Sequence, residues 1–319
     1  MTLTQFYELV INEGIANDPR GKSVVEKELK DRKKKFNSLS EKDKKYFDQE
    51  TLKNPYADSR ILNDTGRRDI KNILVGIDIE TPEMLLAEQL KNKKIAEIDL
   101  LLSHHPQGFA YASFYEVMNM QADILSKYGV PINVAEGLLE ERIKEVSRKV
   151  MPQNHNRAVD AAKLLDYSFM CAHTASDNCV ATYLQNIFDS KVPEQVGDII
   201  DLLMEIPEYK LAGRNKNGPK AIHGSHERKA GKVFVDMTGG TEGAEDLLGK
   251  LSQAGVGTVV AMHMDEKHYN KAKEHHLNVV IAGHIASDSI GINLLLDKAE
   301  KKLGNLNIIC CSGFNRFKH

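Results

Sequence analysis

Cysteine is scarce: four of 319 residues. Cys171, Cys179, Cys310 and Cys311 form no C-x-x-C pair, which excludes a thioredoxin-like motif and a four-cysteine zinc ribbon. No apolar run approaches the roughly 18 residues that a membrane-crossing helix needs. The opening residues Met1 to Glu8 lack the basic and apolar regions of a signal peptide, so a cytoplasmic location is expected. An excess of one charge is also missing. The chain carries 43 basic and 45 acidic side chains, a net charge of −2, and so has no overall pull toward nucleic acid or anionic membrane. There is no G-x-S-x-G elbow, no kinase signature set and no general-base pattern around the cysteines. At 319 residues the length suggests about two domains, and it buries a core without disulfide or metal staples.

The first 70 residues hold 28 charged side chains, against 60 in the remaining 249. Within them Lys22 to Phe36 has a thin apolar stripe of Val24, Val25, Leu29 and Phe36. Ser40 offers an N-cap for a helix from Glu41 to about Leu52, which Asn54-Pro55 stops. Residues 1–70 therefore read as a charged helical extension packed on a body. From residue 71 short β-branched runs alternate with amphipathic stretches. Strand-like runs fall at 73–79, 98–103, 130–134, 168–172, 232–236, 258–262, 278–282 and 307–311, with helical patterns at 82–91, 244–254 and 284–303. This alternation predicts an α/β fold: two α/β domains with mixed sheets, one over 71–190 with 285–319 and one over 191–284. The turn-rich stretch Leu211 to Pro219 reads as a surface excursion. Cys310 and Cys311 read as buried strand residues.

The histidines, 12 in all, carry the chemistry. Ser103-His104-His105-Pro106 follows the run 98–102, and side chains at the C-terminal end of such a strand project into the crevice where ligands bind. Two adjacent histidines on a regular strand point to opposite faces, but a turn before proline lets both enter one cleft. His173-Thr174-Ala175-Ser176-Asp177 follows the run 168–172 and opens a helix. There Asp177 serves either the helix N-terminus or a cation. Gly283-His284-Ile285-Ala286-Ser287-Asp288 follows the run 279–282, and its His284 and Asp288, four apart, share a helix face.

Three strand ends thus supply imidazole and carboxylate without thiolate, a donor set suited to Zn, Mn, Fe, Co or Ni. Five or six donors exceed the needs of one tetrahedral ion and argue for two divalent ions. His263-x-Asp265-Glu266-x-His268 ends a fourth run, with His268 the best additional candidate. His223-x-x-His226 reads as loop and His275-His276 as a helix end. Thr238-Gly239-Gly240-Thr241-Glu242-Gly243 follows the run 232–236. It is either a tight strand–helix turn or a cradle of backbone N–H groups for an anion.

The motifs in combination resemble the Nif-three-like family, also known as GTP cyclohydrolase I type 2 homologues. The family's "D-l-t", "s-H-H-P", "H-T-x-x-D" and "G-H-x-x-S-E" stretches are similar to Asp78-Ile79-Glu80, Ser103–Pro106, His173–Asp177 and Gly283–Asp288, in the same order, over residues 71–319. The resemblance implies two α/β domains with a dinuclear metal site in the cleft between them, and a homo-oligomer, often a toroidal hexamer. It places His104, His105, Asp177, His284 and Asp288 on the metal ligands, with Asp177 at the bridging position and His173 close by. Asp288 stands where the family usually has Glu. The family's "W-D-N-x-G-L" stretch is absent, as is tryptophan altogether. These readings predict a metal-dependent hydrolase of a phosphorylated or cyclic small molecule, nucleotides included, with His173 or His268 shuttling a proton. The reading from another class is a non-catalytic metal-binding or scaffold protein.

Overall fold

A computed structural model describes residues 1–319. Nine strands form two sheets: β1 (Arg60–Asn63), β2 (Asn72–Gly76), β3 (Leu100–Ser103), β4 (Ser168–Cys171), β5 (Lys220–His223), β6 (Lys232–Asp236), β7 (Val256–Ala261), β8 (Asn278–Ile281) and β9 (Asn307–Cys310). The first sheet runs β1-β4-β3-β2-β9 and the second β5-β8-β7-β6. In each, three successive strands lie parallel in reverse chain order, and a preceding strand pairs antiparallel with the last of them, β1 with β4 and β5 with β8. The two lobes therefore share one topology, to which β9 adds a parallel edge beside β2. Both β3 and β4 are buried along their whole length, as strands covered on both faces must be, and this is why they read as unbroken apolar runs.

Register levels the strand ends. Gly76 pairs with Ser103 and Ser103 with Cys171, while Asp236 pairs with Ala261 and Ala261 with Ile281. The loops that follow all leave at one level, so each lobe presents a row of strand-end residues.

Two helices join the lobes at this level. Thr174–Lys191 follows β4 and His284–Leu303 follows β8. They cross where Gly291 meets the first turn of the other helix: a Cβ at Gly291 would lie 2.5 Å from the Ser176 carbonyl oxygen. Only glycine permits that approach. The second helix then carries Ile292, Leu295, Leu296 and Ala299 into the core of the first lobe, while its Ile290 belongs to the core of the second.

Several expectations are corrected. Residues 1–70 are largely helical and pack on the body as expected, but they also enter its core and its first sheet. Helix Leu3–Ala16 buries Leu3, Phe6, Tyr7 and Val10 in the first lobe's core, and Arg60–Asn63 is strand β1. The helix expected over 41–52 is split into Glu41–Lys44 and a 3-10 turn, Gln49–Leu52, because Asp48 caps a new start by accepting from the Glu50 N–H. Residues 130–134 form no strand. Helix Ile132–Val150 begins there, and its buried Ala135, Leu139, Val146 and Val150 follow a helical period. That helix and Met120–Lys127 pack on the second sheet against Phe234, Val259 and Val279, so part of 71–190 serves the second lobe. Leu211–Pro219 is partly helical, within Pro207–Arg214. His223 lies in β5. Cys310 is exposed and Cys311 only half-buried, since β9 is an edge strand.

Candidate metal centre

The backbone past β3 keeps pairing with the β2 side, through His104 N–H to the Gly76 carbonyl and His105 N–H to the Ile77 carbonyl. This holds both imidazoles on one cleft. His104 Nε2 lies 3.5 Å from Asp177 Oδ1 and 3.4 Å from Asp288 Oδ1. His105 Nε2 lies 3.7 Å from Asp288 Oδ2 and 3.4 Å from His284 Nε2. His284 Nε2 lies 3.5 Å from Asp288 Oδ2. The Asp288 carboxylate is thus divided, with Oδ1 toward His104 and Asp177 and Oδ2 toward His105 and His284. His173 Nε2 is 3.9 Å from Asp177 Oδ2. Three overlapping groups of potential ligands result: His104, His105 and His173; His104, Asp177 and Asp288; His105, His284 and Asp288.

The repeated topology explains the meeting. The sequences following β4 and β8 each place a histidine at the strand end and an aspartate four residues on, His173 with Asp177 and His284 with Asp288. The close helix crossing at Gly291 brings the two aspartates together.

Outer partners orient the rings. His105 Nδ1 is 2.7 Å from Asp78 Oδ1, and His173 Nδ1 is 2.8 Å from Asp58 Oδ2. His104 Nδ1 is 3.2 Å from Ser176 Oγ. An imidazole whose Nδ1–H is held by a carboxylate presents the Nε2 lone pair outward, the usual arrangement behind a metal-bound histidine. Asp58 also accepts from the Thr174 hydroxyl at 2.6 Å. Sequence reasoning missed Asp58. It lies 115 residues from His173 in a polar stretch without periodicity, and no local pattern marks it.

Burial disfavours charge here. It raises the Asp177 carboxyl to about 7, with His173 opposing and Asp58 adding to the rise. It also lifts Asp288 well above the usual carboxylate range, Asp177 adding to the effect. Burial and the neighbouring His173 and His105 push the His104 ring well below its usual range. Burial, with His263 and His105, lowers His284 to about 4. Burial acts the same way on His173, but Asp177 and Asp58 outweigh it and lift the ring to about 9.

The residues fit divalent ions on an observation independent of motif. Asp177 Oδ1 and both oxygens of Asp288 are buried and accept no hydrogen bond, although buried polar atoms are nearly always partnered. Asp177 does not cap its helix: the N–H groups of His173, Thr174 and Ala175 donate instead to Ser59 Oγ and Asp58 Oδ1. The cluster opens to solvent on one side only, where the His284 side chain is 40 % and that of His105 25 % exposed, while Asp288 is fully enclosed.

His268 lines the same cleft, but both its ring nitrogens are engaged. Nδ1 is 2.7 Å from Asp265 Oδ1, and Nε2 donates to the Gly243 carbonyl at 3.0 Å. Burial opposes its protonation, yet Asp265 and that carbonyl raise its pKa. His263 Nδ1 is 3.2 Å from Glu242 Oε1, and its ring lies 4.8 Å from that of His284. The groove lined by Lys127, Tyr128, Gln185 and Lys232 lies apart from this cluster and contains none of its residues. No helix is long and apolar enough to cross a membrane.

No protein-family sequence model matches the chain, and no curated protein does. Solved structures do. A NIF3 superfamily protein from Sphaerobacter thermophilus is 28% identical over 81% of this chain and 92% of its own, with a TM-score of 0.70. Reduced HcgD from Methanocaldococcus jannaschii is 13% identical, covering 79% and 87%, at 0.48. A Bacillus cereus protein related to NIF3 is 12% identical, covering 80% and 91%, at 0.40. The α/β architecture, the order of the His-bearing strand ends and the likeness to the Sphaerobacter protein together support a Nif3-like family for this chain.

Proposed function

We propose that the chain is a dinuclear-metal hydrolase acting on a phosphorylated or cyclic small molecule, a nucleotide included. The observation that carries the reading is Asp288: a buried carboxylate whose two unpartnered oxygens face different histidines. His104, Asp177 and Asp288 would hold one ion and His105, His284 and Asp288 the other, which would make Asp288 rather than Asp177 the shared carboxylate. Divalent Zn, Mn, Fe, Co or Ni bound here supplies Lewis acidity toward a phosphoryl or carbonyl oxygen. His173, held at Nδ1 by Asp58, turns Nε2 to the cleft as the proton-transfer group. His268 keeps its protons on Asp265 and Gly243 and shapes the wall. We further propose that the protein works in the cytoplasm as a homo-oligomer, a hexamer by its resemblance to the family.

Elemental analysis of protein purified without chelator is expected to give close to two ions per chain. The loaded protein is then assayed on phosphodiester, phosphomonoester and purine-ring substrates beside Asp177→Ala. Turnover that needs both metal and Asp177 is the expected result; two bound ions with no turnover above the Asp177→Ala background overturn the hydrolase reading.

A further inference from the structure

The loop between β6 and helix Leu247–Gln253 forms the cleft wall opposite His104, Asp177 and Asp288. Gln121, 8% exposed on helix Met120–Lys127, holds this loop from behind. Its Nε2 donates to the Gly239 carbonyl at 2.8 Å and to the Thr241 carbonyl at 2.7 Å. In a trans peptide the C=O and the following N–H point in opposite directions, and the chain has no cis peptide. The N–H groups of Gly240 and Glu242 therefore point away from Gln121. Gly240, Thr241 and Glu242 line the metal-side cleft, and Gln121 does not.

None of the N–H groups from Thr238 to Gly243 donates to a protein acceptor. A run of half-buried N–H groups left open in this way is uncommon, and successive N–H groups in such a turn form a concavity for an anion. Gly240 has φ +89, and a Cβ there would lie 2.9 Å from Val117 Cγ2, so the path is available to glycine alone. The Thr238 hydroxyl donates to Asn178 Oδ1 at 2.6 Å, which ties the loop to the residue after Asp177. His263 completes the wall. With Nδ1 on Glu242 Oε1, its Nε2 edge is free, one ring layer from His284. The Glu242 carboxylate is offset by that imidazole and by the Asp265 N–H at 3.1 Å. Asp236 lines the same space and is the opposing charge.

We infer that the Gly240–Glu242 backbone N–H groups, with His263 covering the Glu242 carboxylate, form a receptor for an oxyanion, phosphate or carboxylate, at the far end of a small molecule whose near end meets the His/Asp cluster. The inference rests on the metal reading above and names the substrate class: a two-ended anion.

The test titrates metal-loaded protein by calorimetry with 2-phosphoglycolate, which has two anionic ends, and with inorganic phosphate, which has one, measuring metal content for every variant. Wild type is expected to bind phosphoglycolate at least ten-fold more tightly than phosphate. Gln121→Ala, which frees the two carbonyls, and the half-exposed His263→Ala should each cut that ratio to three-fold or less with metal content and phosphate affinity unchanged. Asp236→Asn should raise it. If no metal is bound, the hydrolase reading falls, while the receptor stands when phosphoglycolate still binds and Gln121→Ala and His263→Ala abolish that binding. The same phosphoglycolate-to-phosphate ratio in wild type and both variants overturns the receptor whatever the metal content.

Discussion

Asp288 is a costly residue when no cation is beside it. Its carboxylate is fully enclosed and neither oxygen accepts a hydrogen bond. A buried ion without a partner costs several kcal/mol, and the group avoids part of that by taking up a proton. The nearby carboxylate of Asp177 makes matters worse, since the two repel when both are charged. Asn keeps the shape and removes the charge. Metal-free Asp288→Asn is therefore expected to melt above metal-free wild type, by the equivalent of about 1 kcal/mol, while failing to take up metal. A calorimetric scan of both proteins in chelator checks this, and a lower melting point for the variant would mean that the carboxylate is satisfied by some other means. At this scale the sequence was informative for residues that follow an apolar run, because a strand end fixes where the next side chain goes. His104, His105, His173, Asp177, His284 and Asp288 all meet in one cleft. Asp78, quoted only for its likeness to a family motif, orients His105. Asp58 had no such run before it, and its role exists only through a contact made across the first sheet.

Elements differ in how plainly they announce themselves. The central strands β2, β3, β4, β7 and β8 are largely buried and mostly apolar. Strands β1 and β5 are four-residue edges with mostly half-exposed side chains, and nothing in Arg60–Asn63 or Lys220–His223 alternates. The stretch at 130–134 shows the converse error, since a short apolar run is the same for a strand and for a buried helix start. The repeat between the lobes is one of topology and of the His-x-x-x-Asp placement, and it escapes a search for similar sequence. The crossing at Gly291 is the element-scale device that unites the two placements. Gly→Ala within a helix ordinarily stabilises by up to about 1 kcal/mol. Here the new methyl group would meet a backbone oxygen at 2.5 Å, and a main-chain atom at a helix start does not swing aside as a side chain does. Gly291→Ala is expected to cost about 2 kcal/mol in thermal unfolding and to lower metal content by parting Asp288 from Asp177. A variant that is more stable than wild type, with full metal content, would show that the crossing has slack and that the aspartates are positioned by their own turns.

Across the whole molecule the same two helices belong to both cores, so the lobes cannot separate without unpacking Ile290 from one and Ile292, Leu295 and Leu296 from the other. Helix Leu3–Ala16 and the pair Met120–Lys127 and Ile132–Val150 extend those cores rather than decorating them. The cleft cluster takes its ligating atoms from residues after β3, β4 and β8, hence from both sheets. An ion held there ties the folded lobes together and has no comparable site in the unfolded chain, where these residues are up to 184 positions apart. Binding to the native state alone stabilises by RT ln(1 + [L]/Kd), about 2.7 kcal/mol at a free-ion concentration 100 times Kd. Chelation should therefore lower the melting temperature of the entire protein in a single transition rather than loosen one lobe, and addition of the ion should restore it. Asp177→Ala, which removes a ligand of one proposed ion, should retain part of the shift; Asp288→Ala, which removes the group shared by both, should abolish it. Scanning calorimetry of the three proteins with and without chelator reads this directly. An equal metal-dependent shift in all three would place the ions elsewhere, and two separate transitions in wild type would mean that the helices crossing at Gly291 do not couple the lobes.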